Sequence, residues 1–219
     1  MNKYQVDEKT GIAYREGTFD TWILNESRGY FPLELRDSDK ILDLGGHIGC
    51  FAARSIMEKS CCPVESIEAE ESNYEVLRNN AGRFDFRAVH AAVVDDKYDE
   101  EDISVYVNGL KNNALHSILP VRGRATQVTK GIGLKRVLET FKPSIIKCDI
   151  EGAEYDLPWY LLDSYPDVRM VIMELHLTKR GHRDKARNIC GDFHDMAFDF
   201  TKKPHIGEKN WTTIARFER

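Results

Sequence analysis

The stretch Lys40-Ile-Leu-Asp-Leu-Gly-Gly-His-Ile-Gly49 opens with an apolar run and closes on a glycine turn. The run reads as a buried strand, and residues 50–57 behind the turn have helical character. A glycine turn placed between a strand and a helix is the context that gives such a loop meaning. Glycines let the backbone turn tightly and approach a ligand without a Cβ clash. The helix that follows presents its N-terminal N–H groups to the same space.

On either side the pattern repeats. Residues 64–68 predict the next strand and 72–81 a helix, with Ser72 as its N-cap and Glu75 as the capping-box partner. Residues 84–94 are strand-like, and 103–107 continue them as a hairpin. The stretch 108–131 is long, polar and rich in Asn, Gly, Arg and Lys. Residues 134–141 predict a short helix, 143–150 a buried strand, 153–162 a helix, 168–175 a strand and 182–196 a helix. Two strands, 197–201 and 211–217, close the chain. Residues 1–38 are mixed and polar, with a short helical pattern around Trp22, Ile23 and Leu24. Strands alternating with helices imply βαβ units and a mainly parallel sheet. The two consecutive strands at the end suggest one antiparallel edge hairpin. No repeat, low-complexity stretch or domain boundary interrupts the pattern.

Composition narrows the classes. The chain has 219 residues, enough for one domain with a substantial core. An apolar share of 42% is too high for a disordered protein. The formal charge of -5 argues against wrapping duplex nucleic acid by bulk charge, while leaving room for a local basic groove. The opening MNKYQVDEKT has no apolar core of a secretory signal, and no apolar run approaches the length of a membrane span. The five cysteines are odd in number and form no C-x-x-C pair, which speaks against a disulfide framework or a zinc ribbon. They read as reduced thiols of a cytoplasmic protein.

Measured against the dinucleotide spacing G-x-G-x-x-G, the first glycine would fall at Leu44, so that fingerprint is incomplete. What remains is Asp43, then Gly45, Gly46 and Gly49. An acid at a strand end suits a ligand that carries an ammonium group. Glu68, at the end of the next predicted strand, is placed to accept both hydroxyls of a ribose. Together they point to a nucleoside ligand with an amino-acid tail.

These residues resemble the FkbM family of S-adenosylmethionine (SAM) dependent methyltransferases. Arg15-Glu-Gly-Thr-Phe-Asp20 is similar to the family's G-T-x-D stretch, and Leu42–Gly49 to its SAM loop. Ile67-Glu68 with Asn73-Tyr-Glu-Val-Leu-Arg-Asn-Asn80 is similar to its second strand and helix. Lys147-Cys-Asp-Ile-Glu-Gly-Ala-Glu154 follows its K-x-D-x-E-G-x-E signature. The similarity runs from about Gly17 to His176. The chain departs from the family at Gly46, His47 and Ala69, where Ala, Asn and Pro are common.

The resemblance implies a single Rossmann-like class I methyltransferase domain of the α/β class. Its sheet would be seven-stranded and mainly parallel, with a C-terminal antiparallel edge hairpin. Residues 1–38 would pack on the cofactor site of a domain spanning 39–219. SAM would be held by Asp43, Gly45, Gly46, His47, Gly49, Glu68, Ala69 and Asp149, with S-adenosylhomocysteine as product. Ligands of open α/β sheets sit beyond the carboxyl ends of the strands, so Asp149, Glu174 and His176 should meet beside the reacting methyl as catalytic residues. An oxygen acceptor must lose a proton, and His176 or Asp149 is the natural base. Glu151 and Glu154 fit structural and functional roles equally. The carboxylates are compatible with Mg²⁺, although nothing in the sequence specifies an ion.

The reaction expected is O-methylation of a hydroxyl on a sugar or other small metabolite. Four other readings stay open. A ribose 2′-O methyltransferase would use a Lys-Asp-Lys-Glu set, of which Asp149 and Glu174 supply two members. A DNA amino-methyltransferase is suggested by Asp156-Leu-Pro-Trp159, and a nicotinamide oxidoreductase and a non-catalytic SAM-binding module are the others. The 108–131 stretch, with Asn112, Asn113, His116, Ser117, Arg122 and Arg124, reads either as a lid over the acceptor or as a solvated loop. The cluster Lys179, Arg180, His182, Arg183, Lys185 and Arg187 reads either as a solvated face or as a contact for phosphate, nucleic acid included.

Overall fold

Residues 4–109, 116–178, 181–207 and 211–219 are described by the structure, a computed structural model. Its main sheet has seven strands: β1 (Ile41–Leu44), β2 (Val64–Glu68), β3 (Arg87–His90), β4 (Ile145–Cys148), β5 (Met170–His176), β6 (Asp199–Lys202) and β7 (Thr212–Glu218). They lie in the order β3-β2-β1-β4-β5-β7-β6. All neighbours are parallel except those of β7, which runs antiparallel to both β5 and β6. The strand order reverses between β1 and β4, and ligands of such sheets bind outside the carboxyl ends at that point.

The central strands are buried on both faces because helices cover both. Successive residues point to opposite sides. Leu42 and Leu44 therefore join a core with Phe193, Phe198 and Phe217 on one face. Ile41 joins a second core with Phe51, Leu77 and Ile172 on the other. The helices are α1 (Asp20–Glu26), α2 (Cys50–Glu58), α3 (Glu71–Phe84), α4 (Leu134–Phe141) and α5 (His182–Asp195). Among the described residues no helix is long and apolar enough to cross a membrane. Of the cysteines, Cys50, Cys62 and Cys148 are buried and Cys61 is exposed.

Four local expectations are corrected. The cap of α3 is Glu70, whose carboxylate accepts the Asn73 N–H at 2.7 Å and the Ser72 hydroxyl at 2.8 Å, so Ser72 lies inside the helix. The helix also runs on to Phe84 and stops at Asp85 in the left-handed conformation, which delays β3 to Arg87. Residues 103–107 do not pair back onto the preceding strand. Instead Asp102–Val107 pairs with Ala125–Gly133, a strand hidden inside the polar stretch, and the end of that strand pairs with Ala92–Val94. The helix expected over 153–162 is two 3₁₀ segments, Ala153–Asp156 and Trp159–Ser164. Pro158 separates them, since it has no N–H to donate and forces Leu157 out of the helical region.

Candidate active site

A cavity of about 510 Å³ opens at the carboxyl ends of β1, β2, β4 and β5. Gly45, Gly46, His47, Glu68 and Ala69 line one part of it, and Asp149, Glu174 and His176 another. The turn after β1 is shaped by its glycines. Gly45 has φ +79°, and a Cβ there would stand 1.8 Å from the Asp149 carbonyl oxygen. A Cβ on Gly46 would stand 2.0 Å from Ser66 Oγ. The backbone thus reaches the cavity wall at a point where no side chain fits.

Glu68 ends β2 and braces this turn. One of its oxygens accepts the His47 N–H and the other the Glu70 N–H, both at 2.8 Å. Burial pushes its carboxyl up to about 7, against the pull of those two N–H groups.

Two expected residues stand elsewhere. Asp43 is fully buried behind the turn and does not line the cavity. It lies in register between Ser66 on β2 and Lys147 on β4. The Ser66 hydroxyl donates to it at 2.7 Å, and Lys147 Nζ is 3.2 Å away. Gly49 also lies off the cavity. It has φ +86° and caps α2, and a Cβ would meet Leu77 at 2.8 Å and Phe86 at 3.0 Å. It serves the packing of α2 against α3.

Lys147 is the main residue that sequence reasoning passed over. Its Nζ donates to the Gly45 carbonyl at 2.8 Å and lies 3.6 Å from Asp149. Burial works against its charge, but Asp43 and Asp149 outweigh that and hold it protonated far above the usual range. A lysine inside the apolar run Ile145-Ile-Lys-Cys148 was itself the available signal, because a buried ammonium needs partners.

Tyr30 is the second residue missed. It comes from the segment after α1, and its hydroxyl sits 2.8 Å from Glu174 and 3.0 Å from Asp149. Its single proton serves one carboxylate at a time. Burial raises the Glu174 carboxyl, and the neighbouring Asp149 raises it further. Asp149 goes the other way: Lys147 and His176 outweigh burial and lower it. Glu26, at the end of α1, is pushed up to about 8 by burial and by Glu174 and Asp149. The N-terminal segment is fastened over the site by Arg15, which donates to both Asp20 oxygens, to Ser72 and to Asn73 at 2.5–3.0 Å.

His176 ends β5. Glu154, fully buried, accepts its backbone N–H at 2.8 Å and faces its Nδ1 at 3.2 Å. The other ring nitrogen, Nε2, faces Glu151 at 3.3 Å and Asp149 at 3.8 Å. Burial lowers the imidazole, but Glu154 and Glu151 more than reverse this and hold it well above its ordinary value. Both ring nitrogens of His176 therefore face carboxylates, Nδ1 towards Glu154 and Nε2 towards Glu151 and Asp149. Glu154 has a structural role, and Glu151 lines the cavity.

The remaining candidates divide. His116, Ser117 and Arg124 line the cavity, whereas Arg122 is exposed and Asn112 and Asn113 lie outside the described residues. Ser117 donates to the Glu151 carbonyl at 2.9 Å. Trp159 of the Asp156-Leu-Pro-Trp motif is buried, and its indole donates to the Glu154 carbonyl, away from the cavity. In the basic cluster, Lys185 pairs with Asp156 and Arg187 with Asp184, and His182 binds the His176 carbonyl. Lys179 and Arg180 lie outside the described residues.

The chain superposes on solved methyltransferases. The methyltransferase FkbM of Methylobacillus flagellatus superposes with a TM-score of 0.57 at 17% identity, over 84% of this chain and 44% of that one. The chain therefore spans less than half the length of that structure. The fold is that of the class I methyltransferases. Fibrillarin of Aeropyrum pernix, solved with natively bound S-adenosyl-L-methionine, superposes with a TM-score of 0.50 at 10% identity, over 99% of this chain and 83% of that one. The hexuronic acid methyltransferase AglP of Haloferax volcanii is 22% identical over 184 residues, 78% of this chain and 74% of that protein. No family model matches the chain. The chain resembles the FkbM methyltransferases both in its sequence motifs and in this fold.

Proposed function

We propose that the protein is a SAM-dependent methyltransferase that methylates a hydroxyl of a small acceptor, a sugar in particular. The observation that carries this reading is one cavity with two sides of different chemistry. Gly45, Gly46 and Glu68 line it on the β1–β2 side, Glu174 and Tyr30 on the β5 side, and Asp149 stands between them beside Gly45. Gly45 and Gly46 bring bare backbone to the cavity wall, which suits a nucleoside held against backbone, and Glu68 suits its ribose hydroxyls. When bound, SAM supplies an already activated methyl group.

The chain's own residues then have three tasks. Gly45, Gly46, His47, Glu68 and Ala69 hold the cofactor. Asp43 acts at one remove, fixing Lys147 and through it the Gly45 carbonyl. Asp149, kept ionised by Lys147, and the Tyr30 hydroxyl orient the acceptor, so that much of the rate comes from positioning. Glu174, which lines the cavity 2.8 Å from the Tyr30 hydroxyl, is the carboxylate placed to take the acceptor's proton. The N-terminal segment packs on this site through Glu26 and Tyr30, while Arg15 ties it to α3.

A hexuronic acid methyltransferase among the relatives supports a sugar acceptor. A nucleic-acid acceptor fits less well. The acceptor end of the cavity is acidic, and Lys185 and Arg187 of the basic cluster are already paired. The test is transfer of labelled methyl from SAM to a panel of neutral glycosides, uronic acids and short RNAs. Transfer to a glycoside hydroxyl, with kcat reduced in Glu174→Gln, is the expected result. Transfer to RNA alone would contradict the small-acceptor reading.

A further inference from the structure

His176, Asp149 and Glu151 each present one ligating atom to a common point, and these atoms lie within 4.8 Å of one another. We propose that this trio is a site for a hard divalent cation of the Mg²⁺ and Mn²⁺ class, set to hold the acceptor's hydroxyls at the end of the cavity. The role given to the cation rests on the methyltransferase reading; the site itself does not.

Three observations lead there. First, the donor set is mixed: an imidazole nitrogen and two carboxylates, arriving from the ends of β4 and β5. Carboxylates suit Mg²⁺ and Mn²⁺, and the nitrogen favours Mn²⁺ within that class. In an octahedral site with ligands about 2.1 Å from the ion, adjacent donors stand about 3.0 Å apart. The separations from Nε2, 3.3 Å to Glu151 and 3.8 Å to Asp149, need only a small contraction to reach that geometry.

Second, His176 is more than nine-tenths buried, and its Nε2 makes no hydrogen bond among the described residues. The ring's other nitrogen is backed by Glu154, which is fully buried and anchored by the Gly152 N–H at 2.8 Å. A carboxylate behind the far nitrogen is the arrangement that orients a metal-binding histidine and fixes its tautomer.

Third, carboxyl groups outnumber basic groups around the trio. Glu26 and Glu174 line the cavity with Asp149 and Glu151. Lys147 is shared between Asp43 and Asp149. A dication at Nε2 would displace the ring proton to solvent and offset two carboxylates. Its open positions would face the cavity, where two oxygens of a polyol ring could bind it. The cation would withdraw electron density from a bound hydroxyl, and Glu174 would take the proton.

The test uses Mn²⁺ and the metal-stripped full chain. Mn²⁺ binding is followed by electron paramagnetic resonance, and S-adenosylhomocysteine binding separately by calorimetry. The expected result is one Mn²⁺ per chain, lost in His176→Ala and in the near-isosteric Glu151→Gln, and weakened about tenfold or more in Glu154→Gln. Thermal melts establish that each variant is folded. Wild-type protein that binds S-adenosylhomocysteine but no Mn²⁺ would overturn the cation site and leave the methyltransferase reading standing. Equal Mn²⁺ binding by wild type and both His176→Ala and Glu151→Gln would also overturn it, by placing the ion elsewhere. Mn²⁺ bound at the trio without S-adenosylhomocysteine binding would support the site and count against the proposed function instead.

Discussion

Lys147 Nζ lies 3.2 Å from Asp43 Oδ1, with both side chains closed to solvent, and the two residues pair directly across β1 and β4. The acid that looks from sequence like a ligand for the cofactor's amino group is thereby committed to the protein itself. Removing one partner of such a buried pair leaves a charge with no compensation. Lys147→Met is expected to cost about 3–5 kcal/mol in urea unfolding, because Asp43 and Asp149 both lose their cation. A cost under about 1 kcal/mol, as for an exposed pair, would show that the pair is not shielded as described.

Glu68 sets a pH dependence. Its carboxyl is pushed up to about 7 by burial, and the ionised form is the better acceptor of two ribose hydroxyls. Affinity for S-adenosylhomocysteine should therefore rise as pH increases through about 7 and level off above it. Glu68→Gln should bind more weakly and lose this rise. A wild-type affinity that is flat over the same range would refute the assignment.

The glycine turn predicts a steric outcome. Gly45→Ala places a methyl 1.8 Å from the Asp149 carbonyl at a backbone of φ +79°, so the loop must move. Cofactor binding should be lost while the fold, monitored by far-ultraviolet circular dichroism, persists. Gly82→Ala is the control, since nothing lies within 4 Å of its would-be Cβ. Binding unchanged in Gly45→Ala would mean that the ligand does not rest on this turn.

At the opposite end of the sheet Asp39 links β1, β4 and β5. It accepts from Arg169 at 2.5 and 2.9 Å, from Ser144 at 2.7 Å and from the Arg36 N–H at 2.7 Å. Burial opposes its charge, but these donors outweigh it and hold the carboxyl down to about 2. A depressed carboxyl stabilises the fold above its unfolded value and loses that contribution as pH falls towards about 2. Asp39→Asn should be less stable at neutral pH and show a shallower acid transition, measured by urea midpoints at successive pH values. Parallel profiles for the two proteins would contradict this.

Much of the architecture was readable because it follows from short-range periodicity. The run at Ile41–Leu44, the glycine turn and the strand ending at Glu68 carry their signals within a few residues. The Lys147–Glu154 motif likewise placed Asp149 at the end of β4. The strand Ala125–Gly133 was not readable. It sits in a small sheet, and its alternating buried positions carry Thr129, Gly131 and Gly133, so no apolar alternation marks its buried face. Tyr30 was invisible for another reason. It meets Asp149 and Glu174 across 119 and 144 residues of chain, and nothing local to Tyr30 records partners so distant. The broken segment at Pro158 and the buried Lys147 were legible in principle, since each is a residue that its expected element does not tolerate alone.

The most direct test of the central claim is calorimetric binding of S-adenosylmethionine, S-adenosylhomocysteine and NAD to the wild-type chain and to Glu68→Ala. The first two should bind the wild type, Glu68→Ala should lose both, and NAD should bind neither protein. Binding of NAD in their place, or of none of the three by a folded sample, would contradict it.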